Sequence, residues 1–176
     1  MRPHNDGGKA EIQRATNKRE CMHKSSGKLY ANPLKPNKRI DLKGEPMDKR
    51  EQIKISFESG ITIQCEIRFD KNPKTAEALM KALPFESRAE FWGKEIYFEA
   101  PFKVGLEKAK AIVDYGDVAY WPEGPALCLF FGPTLSSPSP NIIKPYSPVN
   151  VIGKILENPK ILEKVKEGEK LKVEKL

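Results

Sequence analysis

Five aromatic residues, Tyr97, Tyr120, Trp121, Phe130 and Phe131, stand closest to usable chemistry in this 176-residue sequence. Aromatic rings bury well, and those with polar tips still offer a hydrogen bond, a combination that lines grooves for peptides and small molecules. Trp121-Pro122 ends an apolar run, which favours a groove position for Trp121. Trp92, before Gly93, fits a groove or a core equally, whereas Phe98 and Phe131 fit a core better. The nearby carboxylates are Glu95, Glu99, Asp117 and Glu123. Two buried carboxylates can split their pKa values and perform acid–base work, as in a hydrolase. Solvated, or paired with neighbours such as Lys94 or Arg88, the same groups carry no chemistry. Asp117, directly after Gly116, is placed to hold a turn.

Other chemistry is excluded by residue type. Both histidines, His4 and His23, lie near the start, so residues 47–176 have none. Ser-His-Asp and Cys-His catalysis and His-rich metal sites are thereby removed from that region. The three cysteines, Cys21, Cys65 and Cys128, are odd in number and form no CxxC pair, which argues against a disulfide framework or a zinc site. Cys65 and Cys128 alternate in register with apolar residues and read as small core side chains. No Gly-rich phosphate loop is present. No cofactor and no metal are expected.

Charge divides the chain. Residues 1–46 hold eleven Lys/Arg against five Asp/Glu, and residues 47–176 hold twenty against nineteen. The first stretch has few large apolar residues and reads as a disordered basic tail, able at most to bind nucleic acid weakly through phosphate contacts that salt would screen. Met47 runs directly into the first strand pattern and offers an alternative start of translation; an intact mass beginning at Met1 would exclude it. The abundance of Lys and Glu in 47–176 suits surface ion-pair networks in a protein working at high temperature, or simply a soluble charged surface. No signal peptide is visible, and the uncharged run is broken by Pro133, Pro138, Pro140, Pro145 and Pro148, so a soluble cytoplasmic protein without a membrane partner is expected.

The elements that must position these residues are mostly short strands. Ile53, Ile55 and Phe57, then Ile61, Ile63, Cys65 and Ile67, alternate with polar residues around Glu58-Ser59-Gly60 and predict a hairpin over 52–68. Asn72 is placed to cap a helix that Pro73 opens, that carries Ala76, Leu79, Met80 and Leu83 on one face, and that Pro84 ends. Strand patterns return from Phe85 to Glu99 around a turn at Gly93. Leu106–Val113 fits a short helix or a turn followed by a strand. Val118–Trp121 and Leu127–Phe131 are strands, the second apolar on both faces, which demands burial of both or one face on a groove. From Gly124 to Gly153 the only charge is Lys144, so this segment is either withdrawn from water or faces a neutral partner, which could be another subunit. Ser136–Pro148 reads as a Pro/Ser loop too polar for core and is expected to flank the aromatic groove. Val149–Ile155 is a strand, Asn158-Pro159 opens a helix with Ile161, Leu162 and Val165 that Gly168 stops, and Leu171 and Val173 mark a last strand. About eight short antiparallel strands with two helices predict a mainly β fold, a closed barrel with a helix capping each end.

That arrangement resembles the cyclophilin fold. Pro73-Lys74-Thr75-Ala76-Glu77 resembles the start of the first cyclophilin helix, Phe130-Phe131 the paired phenylalanines of a central strand, and Val149–Ile155 the strand before the second helix. Glu95–Phe98, Gly116–Pro122 and Phe130–Thr134 resemble, more closely, a small prokaryotic cyclophilin-like family whose role is unsettled. The isomerase motifs F-H-R and Q-G-G-D and the pocket histidine are absent; Arg88 lies in roughly the strand of the catalytic arginine. The resemblance implies, as one reading, a weak peptidyl-prolyl isomerase with Arg88 as donor to the prolyl nitrogen and Phe130, Phe131 and Trp121 as ring pocket. The first reading is a non-catalytic binding module at 47–176. Its groove of Tyr97, Tyr120, Trp121 and Phe130, with Trp92 as a further candidate and Arg88 and Glu95 fixing polarity, would hold a small neutral molecule or an extended peptide. A structural, homo-oligomeric role is the third.

Overall fold

The computed structural model describes residue 44 and residues 48–176. The basic tail and the start at Met47 lie outside the described residues. Nine strands follow in chain order: β1 Arg50–Phe57, β2 Thr62–Arg68, β3 Phe85–Arg88, β4 Glu90–Phe91, β5 Glu95–Glu99, β6 Asp117–Trp121, β7 Ala126–Phe130, β8 Asn150–Ile155 and β9 Lys170–Lys175. Helix α1, Pro73–Ala82, lies between β2 and β3, and a 3-10 helix, Pro159–Lys164, precedes β9. All pairings are antiparallel, in the order β3-β9-β1-β2-β8-β6-β7-β5-β4. The two edge strands, β3 and β4, are joined through the single residue Ala89, so the sheet curls back on itself into a nearly closed barrel. Ala89 donates to Glu169 O at 2.9 Å and accepts from Gly168 N at 2.7 Å, which stitches the seam to the turn before β9.

Period-two alternation fills the barrel. Ile53, Ile55, Ile63, Cys65 and Ile67 from the first hairpin meet Ile96, Phe98, Val118, Tyr120, Leu127, Leu129, Ile152, Leu171 and Val173 in one core. Ala76 and Leu79 of α1 and Leu162 of the 3-10 helix join it. Among the described residues, Cys65 and Cys128 are free and buried, as expected. The strand count rises from eight to nine because the Phe85–Phe91 stretch is split at Ala89 between opposite edges of the sheet.

Three expectations are corrected. Asn72 does not cap α1 with its side chain. Its Oδ1 accepts from Lys108 N at 2.7 Å and its Nδ2 donates to Val151 O at 2.6 Å. The first helical amides go instead to Glu107, which accepts from Lys74 N at 3.2 Å and Thr75 N at 3.3 Å, a carboxylate at the positive end of the helix. Leu106–Val113 is neither helix nor strand; it crosses the surface with isolated bridges from Lys110 to Val149 and from Val113 to Ile143. The Pro/Ser loop does contribute to a core. Ile143 joins Val113, Ala119, Cys128, Phe130 and Val149 in a second cluster on the outer face of β6 and β7. This explains why β7 is apolar on both sides: Leu127 and Leu129 face the barrel, and Cys128 and Phe130 face the loop. The strand part of the uncharged segment is therefore covered by the chain's own loop, while Leu135, Ile142 and Tyr146 of that loop stay exposed.

Candidate functional site

The outer face of β5, β6 and β7 carries the site. Cross-strand pairs share a face of the sheet, and Tyr97 pairs with Cys128, Glu95 with Phe130, and Trp121 with Ala126. These residues alternate with the inward Ile96, Phe98 and Tyr120. Above them runs the loop 133–149. A cavity of about 210 Å³ opens between sheet and loop, lined by Trp92, Glu95, Tyr97, Trp121, Pro145, Tyr146 and Val149.

The loop's serines explain its composition. Trp121 Nε1 donates to Ser147 Oγ at 2.7 Å, and Trp92 Nε1 donates to Ser136 Oγ at 3.3 Å. Each indole thus keeps its polar edge satisfied while its ring remains a wall. Thr134 holds the loop in shape. Its hydroxyl accepts from Ser136 N at 3.1 Å and donates to Lys144 O, and its amide donates to Ser137 Oγ at 2.9 Å. Two glycines let these parts approach. Gly93, at φ +67°, lies so close to the Thr134–Leu135 backbone that a Cβ there would stand 2.9 Å from it. Gly124 lies under the Trp121 ring, where a Cβ would come within 2.0 Å of the ring.

The rings meet edge to face. Tyr146 stands at 88° to Trp92 and 72° to Trp121, with centroids 6.2 and 6.1 Å away, and Trp121 stands at 87° to Tyr97 at 6.3 Å. Glu95 is the one charged residue in the lining and is 5 % exposed. Burial pushes its carboxyl up to about 7, and a hydrogen bond with the Cys128 thiol draws it back only in part. The Tyr97 phenol is pushed up to about 12, first by a hydrogen bond with the Glu90 carboxylate across the β4–β5 pair and then by burial.

Four residues expected in the site, Trp92, Glu95, Tyr97 and Trp121, converge on the cavity. Three do not. Tyr120 alternates inward and is fully buried; its hydroxyl donates to Phe102 O at 3.0 Å and its ring stacks on Phe102 at 4.9 Å. Phe130 is fully buried under the loop with Val113, Ile143 and Val149. Arg88 sits at the β3–β4 seam, where Nη1 donates to Gly168 O at 3.0 Å beside Glu86, Glu90 and Glu99. The prolyl-isomerase constellation of Arg88 with Phe130, Phe131 and Trp121 is therefore not assembled, since Phe131 packs in the barrel core with its ring edge against Phe91. Of the other carboxylates, Asp117 braces its turn by accepting from Asp114 N at 2.8 Å, and it pairs with Lys154 at 2.8 Å. Tyr146 and Pro145 were missed by the sequence reading. A tyrosine in a Pro/Ser loop looks like an isolated surface ring, and the loop is held over β5 and β6 by contacts distant in sequence: the bridges of Lys110 to Val149 and Val113 to Ile143 and the bonds of Trp92 and Trp121 to Ser136 and Ser147. Among the described residues no group of three His, Cys, Asp or Glu is placed to hold a metal, and no helix is long and apolar enough to cross a membrane.

Comparison with known proteins agrees with this architecture. No curated protein matches the chain. The solution structure of the hypothetical protein AF2241 from Archaeoglobus fulgidus is similar, with 41% identity, a TM-score of 0.64, and coverage of 73% of this chain and 97% of that one. The family model described as cyclophilin-like matches residues 51–174, the whole barrel from β1 into β9. The chain belongs to the cyclophilin-like family.

Proposed function

We propose that the barrel is a binding module that takes a small molecule, or one side chain of an extended peptide, into the cavity between β5, β6 and the loop 133–149. One observation carries this reading: a cavity of about 210 Å³ is walled by four aromatic side chains around a single buried carboxyl group. Concave, largely apolar sites with few polar groups are the usual form of ligand sites. The indoles are held by serine hydroxyls, so the walls are set before a ligand arrives.

Native mass spectrometry of the protein purified from its own source tests this. A co-purifying molecule that is lost in Trp121→Ala and kept in Arg88→Ala is the expected outcome. Retention in Trp121→Ala would move the site elsewhere, and a bare mass that stays bare against a fragment library would defeat the reading. The loop covers Cys128 and Phe130 of the sheet's outer face, while Leu135, Ile142 and Tyr146 of the same uncharged segment stay exposed.

A further inference from the structure

Glu95 is the feature of the cavity that binding of a neutral molecule leaves unexplained. It is 5 % exposed, and among the described residues no Lys or Arg stands within ion-pairing distance of it. The groups that face it are the Cys128 thiol from β7, Tyr97 on its own strand, and Tyr146 from the loop, with Glu90 of β4 beyond Tyr97. None is positive. A buried carboxylate without a counter-ion is costly, and a cationic ligand would remove that cost. The walls suit the same ligand. Trp92, Tyr146, Trp121 and Tyr97 are linked in that order by edge-to-face contacts along the cavity wall, and aromatic rings attract cations most strongly where water is excluded.

Resting on the cavity's role as a binding site, we propose that its ligand carries an alkylated ammonium group, with Glu95 as counter-ion and Trp92, Tyr97, Trp121 and Tyr146 as the enclosing walls. An alkylated ammonium presents apolar surface to the rings and sheds water more easily than the compact, strongly hydrated ammonium of lysine. The volume, below the range of about 300–1,000 Å³ typical of sites for drug-sized ligands, suits a head group rather than an extended molecule. The expectation of a neutral ligand rested on the uncharged segment 124–153, and Glu95 lies outside that segment.

The two tryptophans of the chain both line the cavity, so intrinsic fluorescence reports on it directly. The full-length chain is titrated with choline and with its uncharged carbon isostere, in which a tert-butyl group replaces the trimethylammonium. Choline is expected to bind at least about tenfold more tightly. The preference should shrink in Glu95→Gln to what the rings alone supply, with circular dichroism confirming the fold. Tyr146→Ala, a change at a side chain 68 % exposed, should weaken choline without touching the core. Choline affinity should rise as pH passes about 7, where Glu95 ionises, while the isostere's stays flat. A peptide bearing trimethyllysine, run in parallel, shows whether the same head group is better presented on a polypeptide. Equal binding of choline and isostere, or unchanged choline binding in Glu95→Gln, would overturn the cationic class and leave the cavity a binding site. Silence with every probe would overturn the proposal too, and the co-purification experiment then judges the broader reading separately.

Discussion

At the scale of single residues, Glu95 couples the site to stability. Its carboxyl is raised from an ordinary 4.5 to about 7 because burial favours the neutral form. The folded state therefore binds this proton more tightly than the unfolded chain. Stability from this group is greatest below pH 4.5, falls as pH rises through the window to about 7, and stays low above it. A shift of that size corresponds to about 3 kcal/mol. Glu95→Gln keeps the shape and removes the charge, so it should stabilise the protein at pH 8 by up to about that amount and do little at pH 4. Urea denaturation of both proteins at the two pH values checks this. An equal difference at both would show that Glu95 does not titrate in this window. A ligand cation would reverse the burden, holding the carboxylate ionised, and the same residue would then exchange stability for affinity.

At the scale of elements, the loop 133–149 is what turns a sheet face into a cavity. It is irregular but tied down, with Thr134 at the centre of its hydrogen bonds and Ile143 anchored in the second cluster. Thr134→Val keeps the volume and removes the hydroxyl, leaving Ser136 N and Lys144 O without their partner. The expected cost is about 1–2 kcal/mol, confined to the loop. Ligand affinity should fall several-fold while the barrel's unfolding midpoint moves little, measured by titration and denaturation on one preparation. A matched fall in both would mean that loop and barrel unfold as one unit. This also marks where sequence reading stops. That Trp92, Glu95, Tyr97 and Trp121 line one cavity was legible because strand alternation and polar tips are local properties. Tyr120 was misplaced because, when both sets of alternate positions are apolar, the pattern does not say which face turns inward, and Phe130 because no local pattern shows that the loop packs over that part of the outer face. Arg88 was misplaced because its position followed from resemblance, whereas here it bonds to the turn before β9.

At the scale of the whole molecule, two apolar clusters share one sheet, one inside the barrel and one outside under the loop. The mainly β barrel was legible from repeated short alternating runs; its closure through Ala89 was not, because no local pattern reveals that β3 and β4 sit at opposite edges. The elements between strands are fixed instead by a buried polar network. Asn72 ties Lys108 to Val151, and Asn150 accepts from Glu107 N at 3.0 Å and donates to Thr75 Oγ1 at 3.0 Å. Glu107 returns to Thr75 Oγ1 at 3.0 Å and to the α1 amides. The network joins α1, β8 and the crossing segment 105–108, on residues that do not line the cavity. Asn72→Ala should therefore destabilise the barrel by about 3 kcal/mol, since Lys108 N and Val151 O lose their partner. The change should appear as a lower urea midpoint at constant slope. Ligand affinity measured well below that midpoint should stay at the parent value, because none of the network's side chains lines the cavity. Loss of binding in parallel with stability would instead make the cavity part of the same cooperative unit as the helix network, and would rule out treating the site as an addition built on the outside of a self-sufficient barrel.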